Sequence, residues 1–153
     1  MITHVLEDWI SLRATNATTT FTQSEDAWLE LGGFRDFTSW IQVMQASSAE
    51  ISVRLQTSPT RDEQFFENVV TRNAVAANKV YVDPSRAKLV TGNGPVLSRF
   101  LRWSVVAVAP TSLWTIQFRI VLALNPVVPD FEMLCGGRRF ANPGLSSPMG
   151  GMG

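Results

Sequence analysis

The stretch from Leu97 to Leu124, LSRFLRWSVVAVAPTSLWTIQFRIVLAL, limits the possible fold more than any other part of the chain. From Trp114 onward, Trp114, Ile116, Phe118, Ile120, Leu122 and Leu124 fall on one parity, while Thr115, Gln117 and Arg119 begin the other. A period of two with one apolar side describes a strand with one buried face. Before it, Leu97, Leu101, Trp103, Val105 and Ala107 share a parity against Ser98, Arg102 and Ser104, and Ala-Pro-Thr-Ser joins the two runs. The simplest reading is a long antiparallel hairpin. Two strands cannot bury so apolar a face alone, so the rest of the chain must supply a second sheet to cover it.

The remaining sequence can supply that sheet. Ile51, Val53 and Leu55 alternate with Ser52, Arg54 and Gln56, and Leu29, Leu31, Phe37, Ile41 and Val43 form a second apolar parity interrupted by Gly32-Gly33. Residues 64–77 fit a helical turn or two irregular strands. Asp83-Pro84-Ser85-Arg86 reads as a turn between short strands at Lys79–Val82 and Ala87–Val90, and Gly92-Asn93-Gly94-Pro95 as a further turn. About eight short strands, no long helix and no fixed repeat predict an all-β fold, a jelly-roll or related Greek-key β-sandwich.

Residues 1–13 fit either a helix with Val5, Leu6, Trp9 and Ile10 on one face or an extended arm pairing with the sheet, and the arm is preferred. Residues 14–26 are polar and threonine-rich. The expected division is therefore an N-terminal arm and loop over 1–26, a sandwich over 27–124, and an extension over 125–153. That extension holds six of the ten glycines and four of the eight prolines, which excludes a continuous helix or central strand. Ordering a glycine-rich terminus costs roughly 1–2 kcal/mol per residue, so it frays unless something holds it. Another subunit or a large assembly is the expected holder, and folding back over its own domain is the alternative.

Thirteen basic and thirteen acidic residues balance, so no global field recruits nucleic acid or an anionic membrane. Only Lys79 and Lys88 are lysines, leaving eleven arginines, the cation suited to partly buried interfaces. The one cysteine, Cys135, excludes an internal disulfide framework and points to an intracellularly assembled product. No apolar run approaches a membrane span and no leader precedes the chain, so neither membrane insertion nor cleavable export is expected.

Catalytic material is sparse. His4 is the sole histidine, too little for a nucleophile–histidine pair near a mobile terminus, and one His with one Cys cannot make a structural zinc site. The adjacent carboxylates Glu7-Asp8, Glu25-Asp26 and Asp62-Glu63 lie in polar segments and read as solvated loops rather than a glycosidase pair. Calcium held by Glu25, Asp26 or Asp62 stays open, without EF-hand spacing. No cofactor is expected. If the apolar parity faces the core, Trp28 and Trp40 face outward, where a tryptophan cluster marks a contact surface for a sugar ring or a protein. A parity shift at Gly32-Gly33 would instead bury one or both.

The order of features (an arm through Arg13, then WLELGGFRDFTSWIQV, ISVRLQTSP, LRWSVV and IQFRIVLAL, and a proline- and glycine-rich tail) resembles the jelly-roll decoration, or cement, proteins of tailed-phage heads. The resemblance covers nearly the whole chain but rests on pattern, and it carries over no family binding residue. It implies a non-enzymatic virion subunit, commonly trimeric, assembled in the host cytoplasm and touching the major capsid protein or other virion subunits. The expected interaction residues are Trp9, Trp28, Trp40, Arg138, Arg139, Phe140, Met149 and Met152. The alternative is a carbohydrate- or receptor-binding sandwich with a Trp28/Trp40 platform. An ordered tail favours the first, since a lattice component gains contact area from it.

Overall fold

A computed structural model describes residues 1–47, 50–86 (Arg86 by its backbone) and 97–126. Its strands are β1 (Ile2–Ala14), β2 (Thr20–Thr22), β3 (Leu29–Glu30), β4 (Phe34–Ala46), β5 (Glu50–Ser58), β6 (Glu67–Arg72), β7 (Lys79–Arg86), β8 (Phe100–Val108) and β9 (Trp114–Pro126). They form two antiparallel sheets. The first has the order β1-β9-β4-β7, and the second β2-β8-β5-β6, with β3 also on β8. Because β2 and β3 meet β8 at successive places, at Ser104–Val106 and at Phe100–Leu101, they act as one interrupted strand. Eight strands in the orders 1-8-3-6 and 2-7-4-5 make a jelly roll.

The two alternating runs are strands with the expected buried faces, but they are not a hairpin. β8 pairs with β5, β2 and β3, whereas β9 pairs with β1 and β4, so residues 109–113 carry the chain from one sheet to the other. Ala109 takes a left-handed φ of 44° in that connection. The physical reason lies in the two apolar faces. Side by side in one sheet, both would need a cover; in opposite sheets each covers the other. Trp103 of β8 accordingly meets Phe118 of β9 edge-on, ring centroids 5.2 Å apart. Ile41, Ile51, Val53, Leu55, Leu101, Trp114, Ile116, Ile120 and Leu122 complete a core closed to solvent.

The N-terminal residues take the preferred extended form, an arm pairing with the sheet: β1 is paired with β9 from Ile2 to Ala14, and Leu6 is buried. Buried Gln23 fastens this strand, its amide donating to the Leu6 and Ala27 carbonyls while its oxygen accepts the Trp103 N–H. Asp83–Arg86 is not a turn, since β7 runs straight through it. As an edge strand β7 tolerates Pro84, whose missing N–H need not serve a second neighbour. The ambiguous 64–77 region holds a short 3-10 turn, Glu63–Phe65, followed by β6. The strand at Ala87–Val90, the Gly92 turn and the extension beyond Pro126 lie outside the described residues.

Candidate functional site

The outward parity of the first sheet produces an uninterrupted apolar row. Val5 of β1 stands opposite Val121 of β9, Val121 opposite Trp40 of β4, and Trp40 opposite Val82 of β7. Directly opposed residues of an antiparallel sheet share a face, so these four side chains cross all four strands in line, about 14 Å from end to end. Val5 is 43% exposed and Val82 47%, while Trp40 and Val121 are half-buried by their neighbours. The next row holds Arg119, Gln42 and Val80, with Val80 exposed. Trp9 joins that row from β1, where the bulge between Glu7 and Ile10 re-aims the strand, and the Arg119 guanidinium lies 6.0 Å from its ring. Asp8 is 3.8 Å from the same guanidinium. Exposed Met44 sits at the bulge of β4.

Beyond these rows the face turns polar. Ser11, Gln117 and Gln45 stand in line, and with Arg13 and Thr115 they border a shallow depression of about 310 Å³.

The second sheet treats its outward side differently. Arg102, expected on the polar parity of β8, has a side chain only 3% exposed. Its guanidinium donates to Gln56 Oε1 at 3.0 Å and to both Glu63 carboxylate oxygens, and it lies 3.7 Å from the Phe66 ring centroid. Trp28 closes the cluster, 4.8 Å from Phe66 and 6.3 Å from Phe100, with its indole N–H donating to the Gln23 carbonyl. Arg61 and Arg99 lie over Phe100 and pair with Glu25 and Glu30. Hydrogen bonding to Arg102 holds the Glu63 carboxyl below the usual glutamate range.

Trp28 and Trp40 therefore do not form one platform. Trp28 packs over the outward side of the second sheet, and Trp40 lies on the outward side of the first. Trp9 and Trp40 do share a face. Arg138, Arg139, Phe140, Met149 and Met152 lie outside the described residues. Val5, Val80, Val82 and Val121 were missed as surface residues because a valine on a strand reads as core until its face is known.

The adjacent carboxylates serve structure: Glu7 accepts the Trp103 indole N–H at 2.8 Å, Glu25 pairs with Arg61, and Glu63 with Arg102. Among the described residues no three His, Cys, Asp or Glu side chains gather as a metal site, and no helix is long and apolar enough to cross a membrane.

No protein-family model matches the chain, and no curated protein matches it by sequence. Among solved structures it is similar to a protein of the Bacillus endospore appendages, described as a novel family of disulfide-linked pili. Identity there is 10% and the TM-score 0.38, over 82% of this chain and 92% of that one. It is also similar to a protein of the Gx strain of infectious bursal disease virus, with 11% identity and a TM-score of 0.42 over 84% of this chain. It spans 32% of that viral chain. Likenesses of this size leave the function to be read from the chain's own surface.

Proposed function

We propose that this chain is a non-enzymatic structural subunit of a virion, a decoration or cement protein of a phage head that works by docking a rigid jelly roll onto other virion subunits, the major capsid protein first among them. The observation that carries the reading is the apolar row Val5–Val121–Trp40–Val82, which no other segment covers among the described residues. Contiguous apolar surface of this kind marks an interaction site. The order of strands and tail in the sequence supports the phage assignment, and the protein would sit in the virion after assembly in the host cytoplasm.

Particles banded by density from cells that make the chain should contain it at a fixed ratio to the main shell protein. Recovery only from the soluble fraction would overturn the reading. A glycan platform of Trp9 and Trp40 ranks second, because the aliphatic Val121 and Val82 beside Trp40 offer no partner to sugar hydroxyls.

A further inference from the structure

We infer that the outward side of β5 and β6 holds a binding site for a sugar acid, with Arg54 taking its carboxylate. The site lies on the opposite sheet from the apolar row and is independent of docking through that row. The inward parity of Ile51, Val53 and Leu55 turns Ser52, Arg54 and Gln56 outward, where half-buried Arg54 stands between Ser104 of β8 and Thr71 of β6. Trp28 and Phe66 lie against Arg102, and among the described residues no ring reaches Arg54.

The positions around Arg54 bring together two guanidiniums and one carboxylate. Arg102 takes both oxygens of Glu63, and no carboxylate among the described residues pairs with Arg54. Glu50 shares the outward parity but stands about 13 Å along β5, and Glu67 opposes Thr57 on the other parity. The Arg54 Nε is closed to solvent and has no hydrogen-bond partner, so no polar group of the chain holds the guanidinium where it lies. Turned towards a carboxylate side-on, it would satisfy Nε and one Nη together.

Hydrogen bonding defines the rest of the ligand. The Arg102 Nε can only donate, so Gln56 presents its oxygen to it at 3.0 Å. The Gln56 amide nitrogen then donates to Asn68 Oδ1 at 3.0 Å, which leaves Asn68 with a free NH2 group. Ser52 donates to Asn73 Oδ1 at 2.9 Å, leaving a second free NH2 just past the end of β6. Asn68, Thr71 and Asn73 are exposed, so uncharged donors flank Arg54 along roughly 16 Å of chain. One cation matches one carboxylate and leaves a phosphate dianion only half neutralised, while the donors on either side match sugar hydroxyl oxygens. An acidic peptide fits less well, because each carbonyl comes with a backbone N–H and the side-chain carbonyl oxygens here are already engaged. A sugar hydroxyl accepts at the site and turns its own proton to solvent.

The test follows the full chain by heteronuclear NMR, reading the Arg54 Nε–H and the Asn68 and Asn73 side-chain amides. A trisaccharide with glucuronate as its middle ring should shift all three signals, and the same trisaccharide with glucose there should bind at least about tenfold more weakly. Arg54→Gln should weaken binding of the acidic trisaccharide by about the same factor. Asn68→Asp, at an exposed position, keeps the acceptor for Gln56 but sets a carboxylate beside the ligand's, and should also weaken binding at least about tenfold. Acetate binding as tightly as the acidic trisaccharide would overturn the inference and leave an adventitious ion only. Tighter binding of a blocked tripeptide with aspartate between two glycines would overturn it in favour of an acidic peptide. Unshifted signals with the acidic trisaccharide would overturn it, as would binding that survives either Arg54→Gln or Asn68→Asp.

Discussion

The two sheets of this jelly roll carry opposite solutions to the same problem. The second sheet covers its outward side from within the chain: the segment through Glu63–Phe66 folds back, Phe66 and Trp28 seal the surface, and Arg102 is buried beneath them with Glu63 as its anion. Glu63 itself is 77% exposed, so the ion pair reaches from interior to solvent and is partly screened. The first sheet has no such loop among the described residues, and Val5, Val80 and Val82 stand exposed around half-buried Trp40 and Val121. Where a surface is closed by its own chain, residues there serve stability. Where it is left open and apolar, they are available to a partner.

The comparison can be broken first at the core that both sheets share. Phe118→Ala removes a fully buried ring that meets Trp103 and should cost about 3–5 kcal/mol in chemical denaturation. A loss under about 1 kcal/mol would mean the inward faces do not pack as described, and the distinction between the outer faces would lose its basis.

The tryptophans sharpen the contrast. Trp28→Ala opens the aromatic–arginine cluster and removes a hydrogen bond to the Gln23 carbonyl, so a stability loss of about 2–3 kcal/mol is expected. Trp40→Ala should cost about 1 kcal/mol or less and act mainly on association. Equal stability losses would show that the two faces are equally closed.

The smallest effect belongs to Glu63→Gln, about 0.5–1 kcal/mol at neutral pH. Its sign follows from the depressed folded-state pKa. The folded protein then binds fewer protons than the unfolded chain, so the carboxylate's contribution is present above the ordinary glutamate range and lost as pH falls through the lower folded value. The stability gap between wild type and variant should hold at neutral pH and close in acid. A gap that widens in acid would reverse the assignment.

The strand alternation was legible from residue identity alone. The parities of Ile51, Val53 and Leu55 and of Trp114 through Leu124 predict which apolar side chains enter the core, because successive residues on a strand point to opposite faces. Those patterns also require a second sheet, and hence a sandwich. They do not reveal partners. Trp103 and Phe118 satisfy the same alternation whether their strands pair edge to edge or face each other across a core, so the hairpin reading and the jelly roll share one pattern. Arg102 shows the same limit from the other side: as a charged residue on the polar parity it reads as solvent-facing, yet Glu63, Phe66 and Trp28 arrive from distant segments to bury it. The apolar row across the first sheet is also a product of register, since Val5, Trp40, Val82 and Val121 become neighbours only when four strands align. The sequence determined which side of each strand is apolar, a property of single residues; tertiary structure decided which faces meet, because pairing and register are long-range and depend on the whole chain at once.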